Sequence, residues 1–439
     1  MGKKAAVTAK NLLLKYIIPV FFICLGASYR LGENLYPVIY GDEFGYWAAG
    51  SFFAGLDWGD VTAINKYYGY GYGLLLAVIL LVIKNIFAAY KAALIINIIM
   101  LAFCYIIAVN LTDRYVKDNG LKINDAAKIC IAFFVSCYPS YFHLAQYTMA
   151  EIPTLLCTWA IIWVMYGYLG ENSRKIYAIL LVLLSTLSFM IHLRNIAMVV
   201  AVLFVMVLKQ VLGKQKKQIL SAAGITLLFA LGIVISLLIK NYYISSYYSF
   251  EAMRDTSNEF SGGAAKFSRI LSVTGIYNSV IGLIGKLYYL FAAGFGLSFF
   301  AFAEGIKNIG QIRAKDNKAA LFGFFLSFMT ILYIGLNIVN FTDVSARFDY
   351  LTYGRYFENV IPPLMMMGLI LICGQKISLR NIGIYYAVFL AISLFTEALQ
   401  DYSLPTANVF SCCSAISKSL IKSGLKEGTL LAVGVFACI

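Results

Sequence analysis

Tyr40-Gly41-Asp42-Glu43-Phe44-Gly45-Tyr46-Trp47-Ala48-Ala49 follows the first apolar stretch of the chain and holds its first pair of adjacent carboxylates. The surroundings make that pair conspicuous. Over 439 residues the sequence is 61% hydrophobic and only 13% charged, with a mean hydropathy of +0.80. Two neighbouring acids among aromatics, where an apolar segment meets water, are costly unless they stay solvated or perform a task.

Outward from this stretch, apolar runs of bilayer-crossing length recur along the whole chain. They lie near 12–31, 71–90, 92–111, 127–146, 150–169, 176–193, 195–212, 219–240, 282–303, 319–340, 358–374, 382–399 and 429–439. The pattern predicts an all-α, polytopic membrane protein with about 11 to 13 transmembrane helices. The last run is too short to span, so the chain is expected to stop inside a helix or to be incomplete. No internal repeat, low-complexity tract or separate soluble domain is visible, and residues 1–439 read as a single transmembrane domain.

The net charge of +14 has a membrane explanation, because Lys and Arg gather in short loops as the positive-inside rule requires. Nucleic acid is therefore excluded as a partner, and membrane lipid is expected instead. Of the nine cysteines, Cys24, Cys104, Cys130, Cys157 and Cys373 lie in apolar runs and read as small buried residues, while Cys412-Cys413 falls in an expected outer loop. Histidine occurs only at His143 and His192, and no metal-ligand spacing exists. Lys3, Lys4, Lys10 and Lys15 precede the first span without a convincing cleavage site.

That basic N-terminus should be cytoplasmic, which puts Asp42-Glu43 outside. Basic loops at Arg174-Lys175, Lys214 to Lys217, Lys307 to Lys318 and Lys376 to Arg380 agree. The intervening loops are then outer ones: Met149 to Pro153, His192 to Asn195, Tyr242 to Ile281 and Phe341 to Glu358. One conflict arises at Thr112 to Lys128, which carries Arg114, Lys117, Lys122 and Lys128. This loop can be inside only if 71–111 crosses once. Gly69, Gly71 and Gly73 favour a short re-entrant or interfacial helix there. The alternative is two crossings with the basic loop outside.

Asp42-Glu43, followed by Tyr46, Ala49, Gly55 and Leu56-Asp57-Trp58-Gly59-Asp60, resembles the first outer loop of the GT-C superfamily. These are polytopic glycosyltransferases using polyprenyl-phosphate sugars, among them the protein O-mannosyltransferase and lipid A aminoarabinose transferase families. The resemblance implies outer-face loops and juxtamembrane helices around a site on the extracytoplasmic face. It also implies that Asp42 is the catalytic base and Glu43 its companion. A carboxylate suits the base because it can be positioned and its proton affinity tuned by partial burial. The blander reading is that both acids merely keep a loop wet.

Three further elements fit this resemblance. Tyr138-Pro139-Ser140 followed by Glu151-Ile152-Pro153 is similar to a Pro in one span and a Glu opening the next. Glu151 would orient the acceptor or a metal, or assist Asp42; otherwise it is a first-turn acid favoured by the helix dipole. His192-Leu193-Arg194-Asn195 and Tyr353-Gly354-Arg355-Tyr356-Phe357 place arginines on the outer side, against the positive-inside trend. Arginine binds phosphate oxygens bidentately and keeps its charge. The resemblance puts Arg355, Arg194 and Tyr356 at the donor phosphate, and Tyr46, Trp58 and His192 near the sugar. Headgroup snorkelling is the bland alternative for both arginines. Tyr242-Tyr243, Tyr247-Tyr248, Glu251, Arg254 and Gly262-Gly263 form a polar, aromatic segment that could close over substrate or serve as an interfacial belt.

The resemblance implies an inverting glycosyltransferase of a bacterial plasma membrane, with an apolar cleft between spans holding the polyprenyl tail. The acceptor (protein, glycolipid or wall polymer) and the sugar are not specified by the sequence. The related families differ on a divalent metal, so that requirement stays open. A multi-span transporter or lipid flippase is the rival; it predicts pseudo-symmetric halves and ionisable residues near mid-span. A non-catalytic assembly protein predicts no directed acidic pair outside.

Overall fold

A computed structural model describes residues 11–38, 40–59, 67–170, 174–212, 216–247, 268–313, 318–344, 346–375 and 378–400. Among them every regular element is helical, so the protein is all-α. That is the expected solution in hydrocarbon, where a helix satisfies its own backbone polar groups. Among the described residues seven helices are long and apolar enough to cross a membrane: Ile86–Asp118, Leu193–Leu212, Ala222–Tyr247, Val273–Ala293, Lys318–Asn340, Arg355–Cys373 and Arg380–Leu399. Leu13–Ala27, Gly71–Val82 and Lys175–Ile191 are shorter apolar helices. The apolar run 429–439 and Cys412-Cys413 lie outside the described residues.

The chain divides into two compact units, one of Met1–Val164, Leu180–Leu193 and Leu228–Asn258, the other of Met165–Ile179, Arg194–Leu227 and Glu259–Ile439. In the first unit, α1 (Leu13–Ala27) packs on α4 (Ile86–Asp118). Helix α2 (Tyr40–Phe53) packs on α3 (Gly71–Val82). The acidic pair is thus helical, in the first turn of α2, and not in a loop. Small residues permit this contact: a Cβ at Gly73 would lie 2.5 Å from the Ala49 Cβ, and one at Gly50 would lie 2.9 Å from the Leu76 Cβ.

Residues 71–111, read from sequence as two apolar runs, form α3 and α4 with a break at Ile83-Lys84-Asn85. Asn85 caps α4 by accepting the Ala88 N–H at 3.0 Å. With 12 residues, α3 is about 18 Å long and too short for a hydrocarbon core of about 30 Å. Helix α4, with 33 residues, carries Arg114 and Lys117 inside the helix, where a loop beginning at Thr112 was expected. Asn124 then caps α5 (Asp125–Ser136) through the Ala127 N–H.

The run 127–146 is also not one helix. Pro139 opens α6 (Pro139–Leu144), and Tyr138 before it is extended at ψ 119, because the residue preceding a proline is disfavoured in the α region. Glu151 starts α7 (Glu151–Tyr168), and α8 (Lys175–Ile191) and α10 (Lys216–Tyr247) follow the expected apolar runs. Helix α10 absorbs Tyr242, Tyr243 and Tyr247, which were assigned to an outer loop. Tyr248, Glu251, Arg254, Gly262 and Gly263 lie outside the described residues.

In the second unit α9 (Ile196–Leu212) packs on α13 (Lys318–Asn340), and α12 (Leu297–Lys307) packs on α13 and α14 (Ile361–Cys373). Helix α11 (Val273–Ala293) packs on α15 (Leu379–Leu399). The run 282–303 breaks between α11 and α12 at Gly294-Phe295-Gly296, where Phe295 and Gly296 have φ 51 and 79. Two left-handed residues in succession end a right-handed helix. Arg355–Val360 is a 3-10 turn leading into α14.

Candidate functional site

Helix α2 advances about 100° per residue, so Asp42 and Glu43 face different surroundings while residues four apart share a face. Glu43 and Trp47 form one stripe. Glu43 is 0% exposed, and its Oε1 accepts the Thr148 N–H at 2.7 Å, the Thr148 Oγ1–H at 2.7 Å and the Tyr90 O–H at 2.9 Å. Its Oε2 accepts the Val38 N–H at 2.8 Å. The Trp47 indole donates to the same Thr148 Oγ1 at 2.9 Å and stacks on Trp58 at 6.2 Å between ring centroids. A buried carboxylate is tolerable only with such a set of donors.

Asp42 and Tyr46 form the second stripe. Asp42 is half-buried, and its Oδ1 accepts the Tyr68 O–H at 2.9 Å. The Tyr68 ring lies 6.0 Å from Tyr46 and 5.9 Å from His192. Tyr46 is buried and packs on Tyr72 as well, at 5.8 Å. The Leu193 N–H donates to the Tyr68 carbonyl at 3.1 Å, which fixes the chain on both sides of this contact. Lys240 of α10, 6% exposed, lies 5.6 Å from the centre of the Tyr67 ring.

Helix α4 measures how far this acidic end lies from the basic one. Tyr90, bonded to Glu43, is near its start. Asp113, near its end, pairs with Lys15 of α1 and with Lys128 of α5, the latter at 3.1 Å; Lys128 also meets Asp125 at 2.5 Å. Tyr16 donates to Asn110 at 2.7 Å, and Tyr105 to the Lys15 carbonyl at 2.5 Å. Positions 90 and 113 are separated by about 35 Å along the helix at ~1.5 Å per residue, roughly one hydrocarbon thickness. Lys15 and the 112–128 segment therefore share one end of the first unit. Asp42, Glu43, Thr148, Glu151 (95% buried at the start of α7) and His192 gather at the other. Of the two helices in 71–118 only α4 has the length of a bilayer span, as the expectation of one crossing requires.

The second unit holds the arginines. Arg194 is only 5% exposed, so it does not snorkel to headgroups; its guanidinium lies 5.3 Å from the centre of the Tyr356 ring. Asn195 beside it accepts the Tyr333 O–H at 2.8 Å. Arg355 and Tyr356 are half-buried on a turn fixed from three sides. The Lys286 ammonium of α11, 0% exposed, donates to the carbonyls of Tyr350 and Leu351, the latter at 2.9 Å. Asn337 of α13 donates to the Tyr353 carbonyl at 2.8 Å, and the Tyr289 O–H donates to Glu358. Gly354 lies so close to the Tyr289 ring that any side chain there would collide with it. The Phe341 ring packs at a tilt on Tyr353 and edge-on to Tyr356, with centroids 4.3 and 5.3 Å away.

Of the residues singled out from sequence, the structure brings Asp42, Tyr46 and His192 together around Tyr68. It joins Glu43 to Trp58 through Trp47, and joins Arg194 to Tyr356. Tyr68, Thr148, Lys240 and Lys286 were missed. Lys286 had a signal, since a lysine within an apolar run demands a partner. Tyr68 had none beyond the glycines that follow it. Among the described residues no group of three His, Cys, Asp or Glu side chains is placed to hold a metal ion.

No family model matches the chain, and no curated protein does. Among solved structures the chain is similar to ArnT from Cupriavidus metallidurans. It shares 13% identity with the apo crystal structure, at a TM-score of 0.44 over 99% of this chain and 75% of that one. With the crystal structure bound to undecaprenyl phosphate the values are 12% and 0.47, over 96% and 74%. Neither reaction, ligand nor site residues pass to this chain from a likeness at that level.

Proposed function

We propose that the protein is an integral-membrane glycosyltransferase that moves a sugar from a polyprenyl-phosphate donor to an acceptor hydroxyl on the extracytoplasmic face. The observation that carries this reading is the divided fate of the acidic pair. Glu43 is sealed and bonded into the fold, while Asp42 beside it keeps partial exposure and a phenol donor at the end of the unit remote from the basic cluster. A solvating pair would not need four donors on one of its members. The sequence resemblance to the GT-C first loop supports the same assignment.

The acceptor oxygen attacks the anomeric carbon as its proton passes to the Asp42 carboxylate. The bond between that carbon and the phosphate oxygen breaks, and its electron pair leaves with the polyprenyl phosphate. A single displacement inverts the anomeric centre. Arg355 and Arg194 are the cations assigned to the departing phosphate, with Tyr356 holding the Arg194 guanidinium. Trp58 offers a ring face to the sugar, and Glu151 orients the acceptor.

Proteoliposomes carrying undecaprenyl-phosphate-linked pentoses or hexoses test the reading. With cell-envelope fractions supplied as acceptor, free undecaprenyl phosphate should accumulate in proportion to the protein. Transbilayer movement of the intact lipid with no release would contradict it and establish the flippase instead.

A further inference from the structure

We infer that Tyr68 is the positioning residue of the Asp42 base, an assignment that rests on the glycosyltransferase reading above. The sequence makes Glu43 the natural support for its neighbour. The structure gives Glu43 another task, since its oxygens, on a stripe about 100° round α2 from Asp42, are engaged by Thr148, Tyr90 and Val38. The donor aimed at Asp42 is the Tyr68 phenol, 2.9 Å from Oδ1.

A positioning group is useful only if it is itself held, and the five residues Tyr67 to Gly71 are held from several elements at once. The end of α8 contributes most. The Leu193 N–H grips the Tyr68 carbonyl, and a Cβ on Gly69 would collide with the Ile191 carbonyl oxygen, while one on Gly71 would lie 2.6 Å from the Ile191 nitrogen. The strip is thus pressed against backbone that does not yield. Helix α10 holds both flanks: Lys240 lies over Tyr67, and the Tyr70 O–H donates to Ser236 Oγ at 3.1 Å. The Tyr68 ring is then boxed by Tyr46 on α2, one turn beyond Asp42, and by His192.

The phenol O–H donates to the form of Asp42 that accepts a proton, and such a charge-assisted bond has a strong angular preference. It fixes the carboxylate plane before the acceptor arrives. Reaction rates fall steeply when a catalytic group is displaced by even a fraction of its working distance. Tyr68 therefore acts on turnover through Asp42 and makes no demand on the donor.

Tyr68→Phe isolates the bond, because it removes the hydroxyl and keeps the ring against Tyr46 and His192. In the proteoliposome assay kcat should fall about 10- to 100-fold, while the KM for undecaprenyl-phosphate sugar stays at its wild-type value and the melting temperature falls by no more than the loss of one half-buried hydrogen bond allows. A structural residue would instead leave kcat per folded molecule at the wild-type value while the melting temperature falls, or would raise KM along with any loss of kcat, and either result would overturn the inference. So would a wild-type kcat in Tyr68→Phe while Asp42→Asn is inactive, an outcome that leaves the glycosyltransferase reading standing. Turnover that survives Asp42→Asn would remove Asp42 as the base and the inference with it, whereas a wild-type protein that releases no undecaprenyl phosphate would remove the glycosyltransferase reading itself, and the failures are thereby separated.

Discussion

Asp42 and Glu43 share a turn of helix and little else. Glu43 is the more constrained residue, because its two carboxyl oxygens accept the bonds that join α2 to Thr148, Tyr90 and Val38. Glu43→Gln keeps the shape but turns an NH2 group toward N–H and O–H donors. A hydrogen bond to a charged group contributes about 1.5–3 kcal/mol, so this variant should lose about that much stability, read as a lower melting temperature in detergent. Its turnover per folded molecule should fall far less than that of Asp42→Asn. An unchanged melting temperature would show that the burial of Glu43 has been misjudged. The sequence could mark both acids as unusual but could not divide their roles, because adjacent residues on a helix diverge only once the neighbouring elements are in place. Lys286 teaches the converse. Its cost in an apolar run was legible, whereas the carbonyls of Tyr350 and Leu351 that satisfy it lie more than sixty positions away.

Helices were legible wherever apolar length alone decides them, as in α9, α10 and α13. They were misread where a short local signal interrupts an apolar run. Pro139 divides α5 from α6, and Gly294-Phe295-Gly296 divides α11 from α12, although neither interruption changes the hydropathy of its run. Asn85, by contrast, is a capping residue recognisable only when its 3.0 Å bond to Ala88 is seen. The contact between α2 and α3 belongs to this scale too, because it determines where the acidic turn points. Gly73 allows the Ala49 backbone to approach, with the Ala49 carbonyl carbon 3.1 Å from where a Cβ would stand. Gly73→Leu must separate the two helices at a cost of roughly 1–3 kcal/mol, the usual penalty of overpacking. The expected readout is a lower melting temperature together with reduced turnover. Wild-type values for both would mean that the helices are not in van der Waals contact there.

For the whole molecule the decisive quantity is sidedness. The length of α4 separates Tyr90 from Asp113 by about 35 Å, and the positive-inside rule applied to the Lys and Arg at the Asp113 end gives the expectation that this end is cytoplasmic. Tyr36, exposed and ahead of α2, should therefore accept an impermeant thiol reagent in intact cells when changed to cysteine. Asp125, whose side chain is 92% exposed beside Lys128, should not when so changed. Both tests need a background without Cys130 and Cys373, which are exposed, and without Cys412, Cys413 and Cys438, which lie outside the described residues. Labelling at 125 alone would invert the protein in the membrane and move the acidic turn to the cytoplasm. The chemistry assigned to that turn is tested most directly by the turnover of Asp42→Asn at saturating undecaprenyl-phosphate sugar, with protein amount normalised. Asparagine is nearly isosteric and cannot take the acceptor's proton. Loss of a general base costs about 10²–10⁴ in rate, and a fall of that size with donor binding intact is the predicted result. Near-wild-type turnover in Asp42→Asn would contradict the account.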